Sequence, residues 1–285
     1  MDVTSHLASL LGEGVDRLER IGDHHAWTLY RAELASGRAV FVKARLDPNA
    51  PGVGVFPAEA AGLCWLADGD ATLVPPVLAA DERMLVLPWL SAEPATPAVA
   101  ERFGRELATL HAITPDSYGA PWPGYIAELP LDNSPSTGEW GSWYAERRLA
   151  PFLPASAPVL GHDGVKLIER IIAHINDLAG PPEPPSRIHG DLWSGNILWT
   201  NGRALLIDPA AHGGHRETDL AMLALFGAPH LNRILAAYQE VTPLSPGWQQ
   251  RISLHQLHPL LVHAVLFGSS YRGKLLAAAA SALAG

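Results

Sequence analysis

The chain has 285 residues, of which 48% are hydrophobic and 17% charged. That is enough apolar content to bury a core in one large domain or two coupled lobes, and too little charge for global disorder. The formal net charge of -9 sets up a field that repels nucleic acid and anionic membrane surfaces. The single cysteine, Cys64, excludes an internal disulfide and a cysteine-rich zinc site, and its place in a helical run predicts a buried, inert thiol. The N-terminus lacks the basic start and apolar run of a secretory signal. No stretch is apolar for the roughly 18 residues a spanning helix needs. A cytoplasmic, reducing location is therefore the expectation.

The first ninety residues read as three strands, one helix and two strands. Arg17 to Ile21, Trp27 to Leu34 and Ala39 to Ala44 are the first three strands, with Ser36-Gly37 as a turn. A Pro/Gly/Asn loop, Asp47 to Gly54, leads to a helix over Pro57 to Asp68, where Phe56, Ala60, Leu63 and Ala67 recur at helical spacing. Val77 to Ala80 and Met84 to Leu87 complete the set. Ser91 to Pro97, rich in proline and small residues, reads as a linker. This divides the chain into residues 1–90 and 91–285. Beyond the linker the pattern turns helical over Val99 to Ile113, Glu139 to Leu149 and Val165 to Leu178, with a long irregular stretch at Thr114 to Gly138. Pro181 to Pro185 is a helix breaker. Ile197 to Thr200 and Ala204 to Ile207 then form a hairpin around Asn201-Gly202, and the remainder reads as helices, the Ala-rich tail after Lys274 as a packing helix.

The chemistry concentrates in His189-Gly190-Asp191-Leu192-Trp193-Ser194-Gly195-Asn196. The His-x-Asp-x-x-x-x-Asn spacing is that of a kinase catalytic loop, with Gly190 in place of the usual arginine. Asp208 follows the apolar strand Leu205-Leu206-Ile207, and an acid at the end of a buried strand is costly without a partner. Asn196 and Asp208 are hard oxygen ligands suited to Mg²⁺, which frees Asp191 to orient and deprotonate a substrate hydroxyl. Three unrelated helix caps and turns rarely land at this spacing. Lys43 ends the alternating strand Val40-Phe41-Val42-Lys43, where it faces either the phosphates of ATP or solvent. Glu59 shares the apolar face of the following helix, so it wants a cation, and Lys43 is the natural one. Pro88-Trp89-Leu90 reads as an adenine hinge or as an ordinary strand exit; Pro88 lacks an N–H, so Leu90 would be the donor. Asp219 is either a helix N-terminal residue or a brace under the catalytic loop. His24-His25, His111, His255, His258 and His263 form no zinc-like pattern, and no transition metal is expected.

With these residues in place, the chain resembles the fructosamine/ketosamine kinase family, a branch of the aminoglycoside-phosphotransferase-like kinases. The resemblance runs through His189 to Asn196 with its tryptophan, Ile207-Asp208-Pro209-Ala210, Gly214-His215 with Glu217, Asp219-Leu220-Ala221, Glu139-Trp140 through Arg148-Leu149, Leu225-Phe226-Gly227, Tyr238 and Gln256-Leu257. It implies an α+β, bilobal protein-kinase-like fold, with a small antiparallel-sheet N-lobe carrying one helix and a larger, mainly helical C-lobe. It implies ATP-dependent phosphorylation of a sugar hydroxyl on a ketoamine adduct, free or protein-bound, in deglycation repair. Carried over, Asp191 is the proton acceptor, Asn196 and Asp208 bind Mg²⁺, Lys43 and Glu59 hold the phosphates of ATP, and Pro88, Trp89 and Leu90 form the hinge. Trp193 and His215 fall on the acceptor side, where Trp193 either stacks on the substrate or packs against the lobe. One departure is the glycine-poor first hairpin, Gly22-Asp23-His24-His25-Ala26-Trp27, in which Asp23 would repel phosphate unless it points away. An aminoglycoside, choline or other hydroxylated-amine kinase shares this mechanism. A nucleotide-binding module without catalysis is the alternative from another class.

Overall fold

The computed structural model describes residues 2–24, 26–47, 52–70 and 72–284. Helix α1 (Val3–Leu11) opens it, a helix absent from the strand-rich reading of the N-terminus. Its signals are the Asp2 carboxylate, which accepts from the Thr4 and Ser5 amides at 2.7 and 3.2 Å, and Leu7 buried on one face. Strands β1 (Val15–His24), β2 (Trp27–Leu34), β3 (Ala39–Ala44), β4 (Ala79–Ala80) and β5 (Met84–Pro88) form one antiparallel sheet in the order β1-β2-β3-β5-β4. Alternation along β3 decides the two faces. Val40, Val42 and Ala44 pack with Leu7, Tyr30 and Met84 on the α1 side. Phe41 and Lys43 point the other way, toward helix α2 (Val55–Asp70).

α2 buries Val55, Phe56, Glu59, Gly62, Leu63 and Leu66 along one stripe. Cys64, expected to be buried, is exposed. It follows Leu63 directly and so lies about 100° around the helix from it, off the stripe. Gly62 is where α2 meets the C-lobe: a Cβ there would stand 3.2 Å from Ala211 Cβ and 3.6 Å from Pro209. Even a methyl group there would need the helix or the Pro209–Ala211 segment to give by a few tenths of an ångström.

The C-lobe begins with α3 (Pro97–His111), capped by Thr96. The stretch expected to be irregular contains a small hairpin, β6 (Gly124–Ile126) with β7 (Leu129–Leu131). Three-residue strands holding Gly124 and Pro130 carry no readable period. α4 (Trp140–Tyr144) runs through a π turn and a 3₁₀ turn into α5 (Leu153–Ala173), kinked at Gly161, and then α6 (Ile175–Leu178). β8 (Ser186–Ile188) leads into the catalytic-loop sequence. β9 (Ile197–Thr200) and β10 (Arg203–Leu206) form the expected hairpin, with Asn201 and Gly202 at φ 47° and 69°. β11 (His212–Gly214) pairs with β8, and neither short strand is legible in the sequence. Helices α7 (Arg216–Phe226), α8 (Leu231–Val241), α9 (Trp248–His255), α10 (Leu257–Phe267) and α11 (Arg272–Ala284) complete the lobe. Among the described residues no helix is long and apolar enough to cross a membrane. One core runs from α2 through Phe103 and Leu107 of α3 to Ile197, Trp199 and Leu206, so the lobes share a hydrophobic centre beneath the cleft.

Candidate active site

Strand β8 delivers His189 to a loop held from below. Gly190 adopts φ 80°, and a Cβ on it would stand 2.3 Å from the Ala210 carbonyl oxygen, so only glycine fits. Asp219, in the first turn of α7 and fully buried, accepts from the His189 and Gly190 amides at 2.7 and 2.9 Å. His111 Nε2 lies 3.1 Å from the same carboxylate, and His111 Nδ1 lies 3.0 Å from the Tyr238 hydroxyl. Burial works against the Asp219 charge, but the His111 hydrogen bond and the loop amides hold its carboxyl below the usual range. Of the two readings of Asp219, the brace is the one the geometry shows.

Above the brace, Asn196 Nδ2 donates to the Asp191 backbone carbonyl and to Asp191 Oδ2 at 2.9 and 3.0 Å. The Asn196 carbonyl accepts from the Ile207 amide at 3.1 Å, which ties the loop to the segment carrying Asp208. Asp208 takes a left-handed φ of 57°, a conformation aspartate tolerates better than most residues. Lys43 Nζ donates to both Glu59 oxygens at 3.0 and 2.9 Å, and to Asp208 Oδ1 at 2.5 Å.

Two carboxylates thus meet one ammonium, with the Asp191 carboxyl in the same cavity. Burial works against the Lys43 charge, but Asp208 and Glu59 outweigh it and hold the lysine ionised. Burial, with the Asp208 charge, pushes the Asp191 carboxyl up to about 8. The same two causes push Glu59 up, though Lys43 opposes them. This crowding of carboxyl groups, two of them disfavoured as anions without a further cation, and the oxygen chemistry of Asn196 and Asp208, fit a hard divalent cation. The Asn196 amide nitrogen is spent on Asp191, so its side-chain oxygen is the atom that could hold a cation.

Lys43, Glu59, Asp191, Trp193, Asn196 and Asp208 line one cavity of about 540 Å³. Its outer part is apolar and aromatic, walled by Trp122 and Tyr125 of the hairpin region, Phe226 of α7, and Leu266, Phe267 and Tyr271. Trp193 meets Phe226 edge-on, with centroids 6.1 Å apart. Apart from Phe226, which falls in the Leu225-Phe226-Gly227 block, this outer wall has no motif in the sequence. Its nearest signal is the length of the Thr114 to Gly138 stretch.

Pro88, Trp89 and Leu90 lie outside this cavity's lining. Pro88 still pairs with Val40, and the Trp89 amide donates to the Ala39 carbonyl at 3.0 Å. That leaves Leu90 as the segment's candidate donor. His215, expected beside the acceptor, is sealed behind the site at 3% exposure. Its Nδ1 accepts from the Glu217 amide at 3.2 Å, and this cap on α7 draws the ring inward against Trp140. His215, Glu217 and His255 place ligand atoms within 4.8 Å of one another. Both Glu217 oxygens are taken by the Arg251 guanidinium, at 2.5 and 2.9 Å, so the group is an ion-pair knot and not a metal centre. In the first hairpin, Arg20 engages the Asp23 carboxylate, which offsets the repulsion expected there. His25 and the 48–51 part of the Pro/Gly/Asn loop lie outside the described residues.

A profile of the fructosamine kinase family matches residues 10–284. The chain belongs to this family. It is 36% identical over 239 residues to a probable ketoamine kinase of Thermus thermophilus, covering 84% of this chain and 85% of that protein. It is 32% identical over 277 residues to a probable ketoamine kinase of Escherichia coli, covering 93% and 92%. A crystal structure from Thermobifida fusca, provisionally described as a fructosamine-3-kinase, superposes with a TM-score of 0.96 at 49% identity, covering 100% of this chain and 99% of that one. An aminoglycoside phosphotransferase complex with gentamicin superposes at 0.65 with 17% identity, over 100% and 97% of the two chains, which shows the shared bilobal α+β fold. The fructosamine kinase family makes this chain a phosphotransferase with an alcohol group as acceptor.

Proposed function

We propose that this kinase transfers the γ-phosphoryl group of ATP to a sugar hydroxyl of ketoamine adducts, of the fructosamine or ribulosamine type, as the first step of their repair. The observation that carries the reading is the Asp191 carboxylate, oriented by Asn196 in a cavity that has Lys43 at one end and aromatic walls at the other. Residues 1–90 serve as the nucleotide lobe and 91–285 as the acceptor lobe. Lys43, positioned by Glu59, holds phosphate oxygens, and the Pro88–Leu90 segment meets adenine. Asn196 and Asp208 would hold Mg²⁺, which offsets charge on the phosphate oxygens when bound. Asp191 accepts the hydroxyl proton as the acceptor oxygen bonds to phosphorus and the bond to the ADP oxygen breaks. Trp193 stacks on the sugar or on the protonated amine of the adduct.

The phosphate destabilises the adduct and releases the free amine, whether that amine is a metabolite or a protein side chain. The reaction draws on cellular ATP and belongs in the cytoplasm. A panel of acceptors with ATP and Mg²⁺, followed by ³¹P NMR, tests the proposal. Phosphorylation of N-alkyl ribulosamines or fructosamines is expected, and none after chelation of the metal. Turnover of an aminoglycoside or choline with none on ketoamines would overturn it.

A further inference from the structure

Helix α2 carries Glu59 and is anchored in the C-lobe as well as on the sheet. Arg187 of β8 donates from Nη1 to the Trp65 carbonyl, and its guanidinium carbon lies 4.8 Å from the Trp65 ring centroid. Trp122 meets the same ring edge-on, with centroids 5.5 Å apart and planes at 69°. Just before α2, the Tyr125 hydroxyl stands 2.7 Å from where a Cβ on Gly54 would be. One C-lobe segment therefore grips both ends of the helix stretch that holds Glu59. Trp122 and Tyr125 also line the acceptor end of the cavity. Arg187, four residues before Asp191, ties the same helix to the catalytic loop.

Lys43 has two carboxylate partners, Glu59 and Asp208. The seated α2 gives it both, and a shift of α2 away from β3 would leave it on Asp208 alone. Coupling between two sites needs an element with two such arrangements, and α2 borders the cavity through Val55, Ala58 and Glu59. Resting on the acceptor class proposed above, we infer that Trp65 is a positioning residue through which acceptor and nucleotide binding reinforce each other. An acceptor held against Trp122 and Tyr125 steadies α2, α2 keeps Glu59 on Lys43, and Lys43 is then placed for phosphate. Trp65 itself touches neither substrate.

The test is calorimetric titration of a non-hydrolysable ATP analogue with Mg²⁺, with and without saturating N-propyl ribulosamine. The native enzyme is expected to bind the analogue about fivefold or more tightly when the acceptor is present. Trp65→Leu binds the analogue alone as before and loses the tightening, and Trp65→Phe, which keeps a ring, retains it. Arg187→Met, which removes the cation from Trp65 without touching the cavity, also loses it. A Trp65 that served stability alone would lower the unfolding temperature and leave the tightening intact, which would overturn the inference. So would a native enzyme that phosphorylates ketoamines with no tightening. Failure to phosphorylate any ketoamine would instead overturn the acceptor class, and this inference with it.

Discussion

The front and the back of the catalytic loop both bury carboxylates, and they treat them in opposite ways. At the front, Glu59 and Asp208 share the Lys43 ammonium, and beside them the Asp191 carboxyl is pushed up to about 8 by burial and the Asp208 charge. At the back, each acid has its own donors. Asp219 has His111 and two loop amides. Glu183 has Arg216 and Ser245. Glu217 has the Arg251 guanidinium, with the His255 ring 3.3 Å away: burial works against its charge, but these neighbours hold it at about 2. Saturated pairing marks a carboxylate that supports the fold. Carboxylates that share one cation in a cavity mark a candidate functional site.

Swapping carboxylate for amide on the two sides sharpens this contrast. Asp191→Asn should cut kcat by about 10²–10⁴-fold, the range for loss of a general base, with little change in unfolding temperature, since a carboxyl held at about 8 is largely neutral at pH 7 and asparagine keeps its shape. Rate assays and thermal unfolding on one preparation check both halves. Asp219→Ala should do the reverse in stability. It strands two loop amides and His111, and should cost about 3–5 kcal/mol in urea unfolding, with activity falling as the loop loosens.

Acidity should act on the back first. Glu217 sits at about 2 in the fold against 4.5 ordinarily, so its contribution is present above pH 4.5 and is lost as pH falls toward 2. It amounts to about 3 kcal/mol. His212 and His215, held neutral by burial, sit at about 3 against 6.5, so protonation begins to penalise the fold below pH 6.5. Unfolding temperature measured against pH should drop below pH 6.5 and drop further below 4.5. A flat profile would break the comparison. The smallest effect is expected at the cavity wall, where Trp193→Ala should raise the acceptor KM roughly fivefold, about 1 kcal/mol, with kcat less affected.

Much of the front is legible in the amino-acid sequence. Lys43 in an alternating strand, Glu59 at helical spacing, and the Asp191, Asn196 and Asp208 triplet come together in one cavity. The back is half legible. Asp219 reads as a cap or a brace, but Glu217 reads only as part of a family block, and Arg251 carries no signal at all. An ion pair between α7 and α9 has no local signature. His215 misleads for the same reason, since its sequence neighbours are those of a site residue while its contacts are those of a buried cap.

What the sequence determined by itself is what local periodicity and spacing can encode: which side of β3 Lys43 occupies, which face of α2 holds Glu59, and how far apart the loop's acid and amide stand. Only the tertiary structure decided that Cys64 turns outward, that His215 is sealed away, and that Trp122, Tyr125, Phe226, Phe267 and Tyr271 close around one chamber. Those outcomes depend on contacts between segments far apart in the chain, where side-chain volume and burial override anything neighbouring residues can specify.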